Sequence, residues 1–478
     1  MKQTLTEFLL QHKDRQPVSF HMPGHKGSAI YREHGYSPFL DSIMDCDITE
    51  IPAADNLFQP ESVIKAAMER YRRLYGTKES YLLVNGSSGG LIAAILASVP
   101  KGGKLILARN CHKSIFNALS LGDITPVYAY PEIVEEYGIL GSVSPEEVAR
   151  CLDENPDAAA VILPSPNYYG ICSDVAAIAE VVHARGKILI IDQAHGAHLT
   201  FFAEHGIPGF PSAAESAGAD VVINSIHKTL ASFTQTALLN LCSDRVDKYD
   251  LEDRLQTIES SSPSYPLMAS LDLNADLLEH HGSQLMKDWM DNLDWFYHHA
   301  EQEVPGLRIM RHELLDATKL NLDMSAYGLN GNELEELLME KDIFVELVTG
   351  NILMCMTGIG NKRCDFQRLL DALKEIAKQR GLCDTDGAGA EKPEQPKAVT
   401  ASLKLTAVPV RKERIKLEEA VGRVCASSVI PYPPGIPIVC PGEVFDEEVI
   451  AYIAARRQAE EKVIGLDEQG RVAVGREE

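Results

Sequence analysis

Short, nearly continuous runs of Val, Ile and Leu recur through the first half of the chain, separated by segments whose apolar residues fall at helical spacing. The runs predict strands over 80–84, 104–108, 158–163, 187–191 and 220–225, and the segments predict helices over 89–98, 144–153, 173–185 and 211–217. Strands apolar on both faces belong in a parallel sheet covered by helices on both sides. A long helical stretch follows over 267–304. Residues 306–380 then mix strands (307–311, 319–324, 343–347, 352–356) with helices (331–341, 362–379) in an α+β pattern. The segment GLCDTDGAGAEKPEQPKA, 381–398, has no periodic apolar face and reads as a linker. Beyond it come a basic patch (Arg411, Lys412, Arg414), a Pro-rich run from Pro431 and a polar helical tail. The pattern thus predicts an arm over 1–45, a large α/β domain over 46–300, a small α+β domain over 301–380, the linker and a C-terminal domain over 399–478.

Composition narrows the class. A chain of 478 residues exceeds what one compact core accommodates, and 45% apolar with 24% charged residues excludes disorder and fibre. The net charge of −24 argues against nucleic acid or an anionic membrane as partner and is compatible with a small cationic substrate. The ten cysteines contain no C-x-x-C pair, which argues against a disulfide framework and a zinc site. The first fifteen residues hold no signal-peptide core, and no apolar run approaches the ~20 residues of a membrane span. A cytoplasmic protein is expected.

In open parallel sheets, ligands bind at the carboxyl ends of the strands. Three polar clusters fall there. Asn85-Gly86-Ser87-Ser88-Gly89-Gly90 precedes a helix; its glycines admit an anion, its hydroxyls donate, and the helix dipole adds positive potential. Alone, such a stretch is an ordinary turn. Asp192-Gln193-Ala194-His195-Gly196 places a carboxylate directly after four apolar residues, where it needs donors or a cation to remain ionised, unless it is simply a cap. Ser225-Ile226-His227-Lys228 places a lysine at a strand end, where partial desolvation favours the neutral, nucleophilic amine over a solvated surface role. In this order on one sheet, the clusters are the parts needed to hold pyridoxal phosphate: phosphate on the turn, pyridine nitrogen on Asp192, aldehyde carbon on Lys228. The 36 residues between Asp192 and Lys228 leave room for a crossover helix.

The chain resembles the pyridoxal-phosphate-dependent ornithine, lysine and arginine decarboxylases of the aspartate-aminotransferase-like fold (fold type I). The motifs are HMPGHKG from His21, DITE from Asp47, NGSSGG from Asn85, RNCHKS from Arg109, DQAHGAH from Asp192, SIHK from Ser225, SSSPSYPLMASLD from Ser260 and YPPGIPIVCPGE from Tyr432. The resemblance implies that Lys228 carries the cofactor, that Asp192 pairs with its ring nitrogen and that His112 stacks on the ring and can donate a proton. Gly86, Ser87, Ser88 and Ser225 belong to the phosphate site, His195 and His227 flank the cofactor, and Tyr168 lies near the ring hydroxyl. By the same resemblance Ser261 and Ser262 belong to a segment that reaches the partner subunit's phosphate, which implies a homodimer or larger homo-oligomer with shared sites.

Two departures stand out. The family commonly has Asp-Glu-Ala-His-Gly where this chain has Gln193, and D-D-L-H where it has Asp55-Asn56-Leu57-Phe58. Both bear on substrate preference. The implied reaction is decarboxylation of a basic L-amino acid for polyamine synthesis. The compact length is most similar to the short arginine decarboxylases, so arginine ranks before lysine and ornithine. An aminotransferase or Cβ-lyase on the same scaffold, with Arg308, Arg311 or Arg363 as carboxylate anchor, and a catalytically silent regulatory paralogue stay open. No metal is expected: Pro23-Gly24 keeps His21 and His25 off one helix face, and His195 and His198 have no third, acidic ligand at helical spacing.

Overall fold

A computed structural model describes residues 3–51, 53–382, 403–406, 408–431, 437–458 and 463–476. Residues 383–398 of the predicted linker and Tyr432 to Ile436 of the Pro-rich motif lie outside this set. At the centre is a seven-stranded sheet of β1 (Glu79–Leu83), β2 (Lys104–Ala108), β3 (Thr125–Ala129), β4 (Ala160–Pro164), β5 (Ile188–Asp192), β6 (Val221–Asn224) and β7 (Ala237–Leu241). Their spatial order is β1-β7-β6-β5-β4-β2-β3. The five strands from β6 to β3 pair in parallel, whereas β7 is antiparallel to both of its neighbours. Leu105, Ile106, Val161, Ile162, Ile190 and Ile191 are wholly buried, each contributing about 1.5–3 kcal/mol of burial. This confirms the buried parallel sheet expected from the apolar runs.

Four local expectations are corrected. β3 was not predicted because Pro126 demotes its pattern; the strand forms because it is the sheet edge, where a missing N–H is tolerated. β7 was hidden by Asn240, a polar residue in the sheet interior, satisfied by the Ser80 hydroxyl at 2.7 Å and the Glu215 carboxylate at 2.9 Å. The stretch over 211–217 is a series of turns and not a helix, since the Ala214 N–H is drawn to the Gln193 side chain at 2.7 Å. The helix expected from Gly89 spans Gly86–Ser98, so the Gly/Ser cluster is its first turn and not a loop before it.

A 39-residue helix, Tyr265–Glu303, capped by Ser264 and roughly 58 Å long at 1.5 Å per residue, packs Trp289, Leu293 and Phe296 inward. It leads into a four-stranded antiparallel sheet containing Arg308–Ile309, Lys319–Asp323, Ile352–Met356 and Leu347–Thr349 in that spatial order. The run expected over 343–347 therefore divides: Ile343–Val345 instead pairs in parallel with Val18–Phe20 near the N-terminus. Further on, Lys412–Lys416 pairs with Arg471–Gly475, and helix Glu447–Gln458 covers a core that includes Leu417, Phe445, Val449 and Val474. Arg411, Lys412 and Arg414 are exposed. No helix among the described residues is long and apolar enough to cross a membrane.

Candidate active site

Because β5 and β6 run parallel, Asp192 at the end of one and Ser225 just past the other emerge at the same sheet edge. β1 shares their direction, being antiparallel to β7, so the N-terminus of helix Gly86–Ser98 opens on that edge too. Between these segments lies a cavity of about 210 Å³. Gly86, Ser87, Ser88, His112, Tyr168, Asp192, His195, Ser225, His227 and Lys228 all line it. Ten of the twelve expected site residues therefore converge. Ser261 and Ser262 do not: they are exposed and do not line the cavity.

Lys228 Nζ stands 3.0 Å from His195 Nε2. Burial lowers the lysine's proton affinity, and the Asp192 charge opposes this. The same burial raises Asp192, whose carboxylate accepts, among the described residues, only from the Ala194 N–H at 3.1 Å. His112 caps helix Lys113–Gly122, with Nδ1 accepting from the Ser114 N–H at 3.3 Å and lying 2.8 Å from its hydroxyl. A neutral ring that accepts at Nδ1 carries its proton on Nε2. Burial and the Lys228 charge keep that ring neutral, its pKa lowered to about 3. His227 points Nδ1 at the Thr236 carbonyl, 2.7 Å away, and burial lowers it to about 4. Tyr168 sits edge-on to His195 with ring centroids 5.0 Å apart. The Ser225 and Ser87 hydroxyls meet at 2.7 Å at the helix N-terminus.

These residues fit pyridoxal phosphate. A buried carboxylate with a single donor is suited to a ring N–H, and a desolvated amine is available for the aldehyde. Two hydroxyls at a helix N-terminus, beside Gly86 at φ +75°, offer an anion cup. His195 Nδ1, buried and without a hydrogen bond, is a further polar atom left unsatisfied at the cavity wall.

The two departures lie elsewhere. Gln193 is buried and donates to Glu215 at 2.8 Å and to Asn224 at 3.0 Å. A glutamate there would face the Glu215 carboxylate. Asp55 accepts from the N–H groups of Asn56, Glu61, Ser62 and Ile64, and Asn56 accepts from Phe58, so this stretch is a turn before helix Val63–Tyr75 that does not line the cavity.

Sequence reasoning overlooked three groups. The PGHKG loop wedges against the Lys228 segment: the Gly24 N–H reaches the His227 carbonyl at 2.6 Å, and a Cβ on Gly24 would stand 2.4 Å from the Thr229 carbonyl carbon. Within that loop, burial lowers Lys26 to about 7 while its amine donates to the His21 and Met356 carbonyls. Glu346, at the bend between Ile343–Val345 and Leu347–Thr349, accepts the N–H of Met22, a wall residue, at 2.9 Å, and its charge acts on Lys228. The HMPGHKG motif was the available signal for the first two; Glu346 had none.

Known proteins match along nearly the whole chain. The family description "Orn/Lys/Arg decarboxylase, major domain" matches residues 3–322, and "Orn/Lys/Arg decarboxylase, C-terminal domain" matches 390–473. An arginine decarboxylase of Bacillus subtilis (strain 168) is 34% identical, with 97% of this chain and 94% of its own length covered. One from Halalkalibacterium halodurans is 32% identical at 97% and 94% coverage. The structure of the E. coli constitutive lysine decarboxylase has the same fold, with a TM-score of 0.75 at 21% identity over 98% of this chain and 81% of that one.

Proposed function

The chain belongs to the Orn/Lys/Arg decarboxylase family, pyridoxal-phosphate-dependent enzymes of fold type I, and on that premise we propose that it converts arginine to agmatine. The observation that carries the reading is the convergence of Asp192, Lys228 and the Ser87–Ser225 hydroxyl pair on one cavity. When bound, pyridoxal phosphate supplies the electron sink for the pair left by departing CO2. Lys228 would hold its aldehyde carbon, Asp192 its ring nitrogen, and Ser87, Ser88 and Ser225 its phosphate.

The protein's own contribution is proton placement and charge. Asp192, once it has a donor opposite it, stays ionised in a buried setting and keeps that donor protonated. The neutral His112 lines the cavity with its Nε2–H as a hydrogen-bond donor, and Lys228, as an ammonium, can return the proton to the product carbon and become a neutral amine. His195 takes a hydrogen bond from Lys228 at 3.0 Å and orients the amine. A cationic substrate side chain finds negative potential from Glu346, whose carboxylate is fixed on the Met22 N–H, and from the net charge of −24. The arginine assignment is supported by the relatives named arginine decarboxylase.

The transaminase alternative loses support at its anchor. Arg308 pairs with Glu136 and Asp323, Arg311 with Glu301, and Arg363 with Asn292 and the Asp291 carbonyl; none lines the cavity. A homodimer with shared sites belongs to the same proposal. Exposed Met44, Ile48, Ile51 and Val63 present an apolar surface, and Ser261 and Ser262 are free to reach outward. A cytoplasmic location is supported by nine free cysteines among the described residues. Incubating the purified holoenzyme with arginine, lysine and ornithine, and assaying CO2 with agmatine, cadaverine and putrescine, tests the reading. Agmatine is expected to dominate; cadaverine or putrescine would overturn the substrate, and an oxo acid the reaction.

A further inference from the structure

Behind the wall formed by Tyr168, His195 and Lys228 lies a second polar group that the reaction above does not use. It comprises Asp316, Thr318 and Lys319, leading into strand Lys319–Asp323, together with His198 of the DQAHGAH motif, all 0% exposed. The Asp316 carboxylate pairs with Lys319 Nζ at 2.9 Å, faces His198 Nε2 at 3.2 Å and accepts from the Thr318 hydroxyl at 2.7 Å. His198, the Lys319 charge and the Thr318 hydroxyl hold it well below the usual carboxylate range despite burial.

Each partner of Asp316 leads back to a different piece of the cavity wall. His198 Nδ1 meets the hydroxyl of Thr229, the residue after Lys228, at 3.2 Å. Lys319 Nζ donates to the backbone carbonyl of His195 at 3.0 Å. Gly170, two residues past Tyr168, receives the Asp316 N–H on its carbonyl at 2.8 Å and packs on Lys319 so closely that a Cβ would stand 2.8 Å from Cγ. Three wall segments that are distant in sequence are thus tied to Asp316 and its neighbour Lys319, at the start of strand Lys319–Asp323. In a low-dielectric interior a fully satisfied network has few alternative arrangements, so it fixes the geometry of what it holds. The charges acting on Lys228 are those of Asp192, Glu346 and Lys319, and Lys319 is the one that Asp316 balances.

We propose that Asp316 is a positioning residue of the active site, setting, through His198 and Lys319, the placement of Lys228 and His195 against the cofactor. The proposal rests on Lys228 being the cofactor-bearing lysine.

The test uses holoenzyme of the wild type, Asp316→Asn and Thr229→Val, the second removing only the hydroxyl that receives His198. Three quantities are read: the thermal unfolding midpoint, kcat and KM for arginine, and the pH at which the visible absorbance of the lysine-bound cofactor changes. The expected result is a kcat lowered about tenfold or more with KM within about threefold, and an absorbance midpoint shifted by about half a pH unit or more, in both folded variants. Variants that unfold earlier yet keep wild-type kcat and absorbance midpoint when folded would show a merely structural network and overturn the proposal. If Asp316→Asn does not fold, Thr229→Val decides by the same readouts. A wild type that decarboxylates none of the three amino acids defeats the functional reading instead, and the absorbance midpoint still tests the network.

Discussion

The Arg109 guanidinium lies side-on against the Glu443 carboxylate, Nε to Oε1 and Nη2 to Oε2 both at 3.1 Å, with neither residue more than 1% exposed. Nη1 and Nη2 of Arg109 also reach the carbonyls of Pro437 and Ile438 at 2.8 Å, so the loop carrying His112 is clamped to the C-terminal segment. Removing one member leaves a buried charge uncompensated. Glu443→Ala should therefore cost about 3–5 kcal/mol of stability, while the apolar pair Arg109→Met with Glu443→Leu should recover most of it. Denaturant unfolding of the three proteins checks this; equal losses in the single and double variants would contradict it.

Lys228→Ala removes the amine suited to the cofactor's aldehyde and the partner of His195. The variant should lack the visible absorbance of lysine-bound pyridoxal phosphate and lose about 10³-fold or more in turnover, with little change in unfolding midpoint. Absorbance spectra and product assays decide it. Retained turnover would sink the assignment of this residue.

The residues lining the cavity were legible because each sits in a short motif at a strand end, where parallel topology forces convergence. Asp192, Ser225 and Lys228 needed only strand order to be brought together. The supports behind them were not legible, because their partners are far apart in sequence. His198 finds Asp316 118 residues away, and Arg109 finds Glu443 334 residues away. A buried lysine such as Lys319 looks, in sequence, like any strand-edge charge. The same holds for β7, where Asn240 broke an apolar run that only the folded sheet justifies, and for Ser261 and Ser262, whose expected contact belongs to a second subunit.

Glu346 offers a way to separate recognition from chemistry. Its carboxylate holds the Met22 N–H and acts on Lys228 without lining the cavity, so Glu346→Gln keeps the shape and removes the charge. The expected effect is a KM for arginine raised about tenfold, with a smaller change in kcat, and weaker dependence of KM on ionic strength. Steady-state kinetics at low and high salt test this. A kcat loss at constant KM would place Glu346 in the chemistry instead.

Acid should destabilise the cofactor-free protein, and the histidines lowered by burial set the direction. Burial lowers His25 and His227 to about 4 and His112 to about 3 from an ordinary 6.5, so below that value the unfolded chain binds protons that the native fold refuses. Their contribution is fully present above pH 6.5 and is lost as the pH falls towards 4, each at about 1.4 kcal/mol per pH unit. His195 and His198, also lowered by burial, act in the same sense. Glu259, raised by burial to about 7, and Asp192, also raised, oppose them, because the native fold keeps protons there that the unfolded chain releases. His21 and His34 are lowered by burial too, while Asp272, Asp294 and Glu335 are raised, so seven histidines act against five carboxylates and the net is a loss. Urea midpoints should thus fall between about pH 7 and about pH 5.5, and His227→Gln, which retains a donor for the Thr236 carbonyl, should flatten the slope by about one proton. A midpoint that does not move over this range would show that these rings take up protons without unfolding.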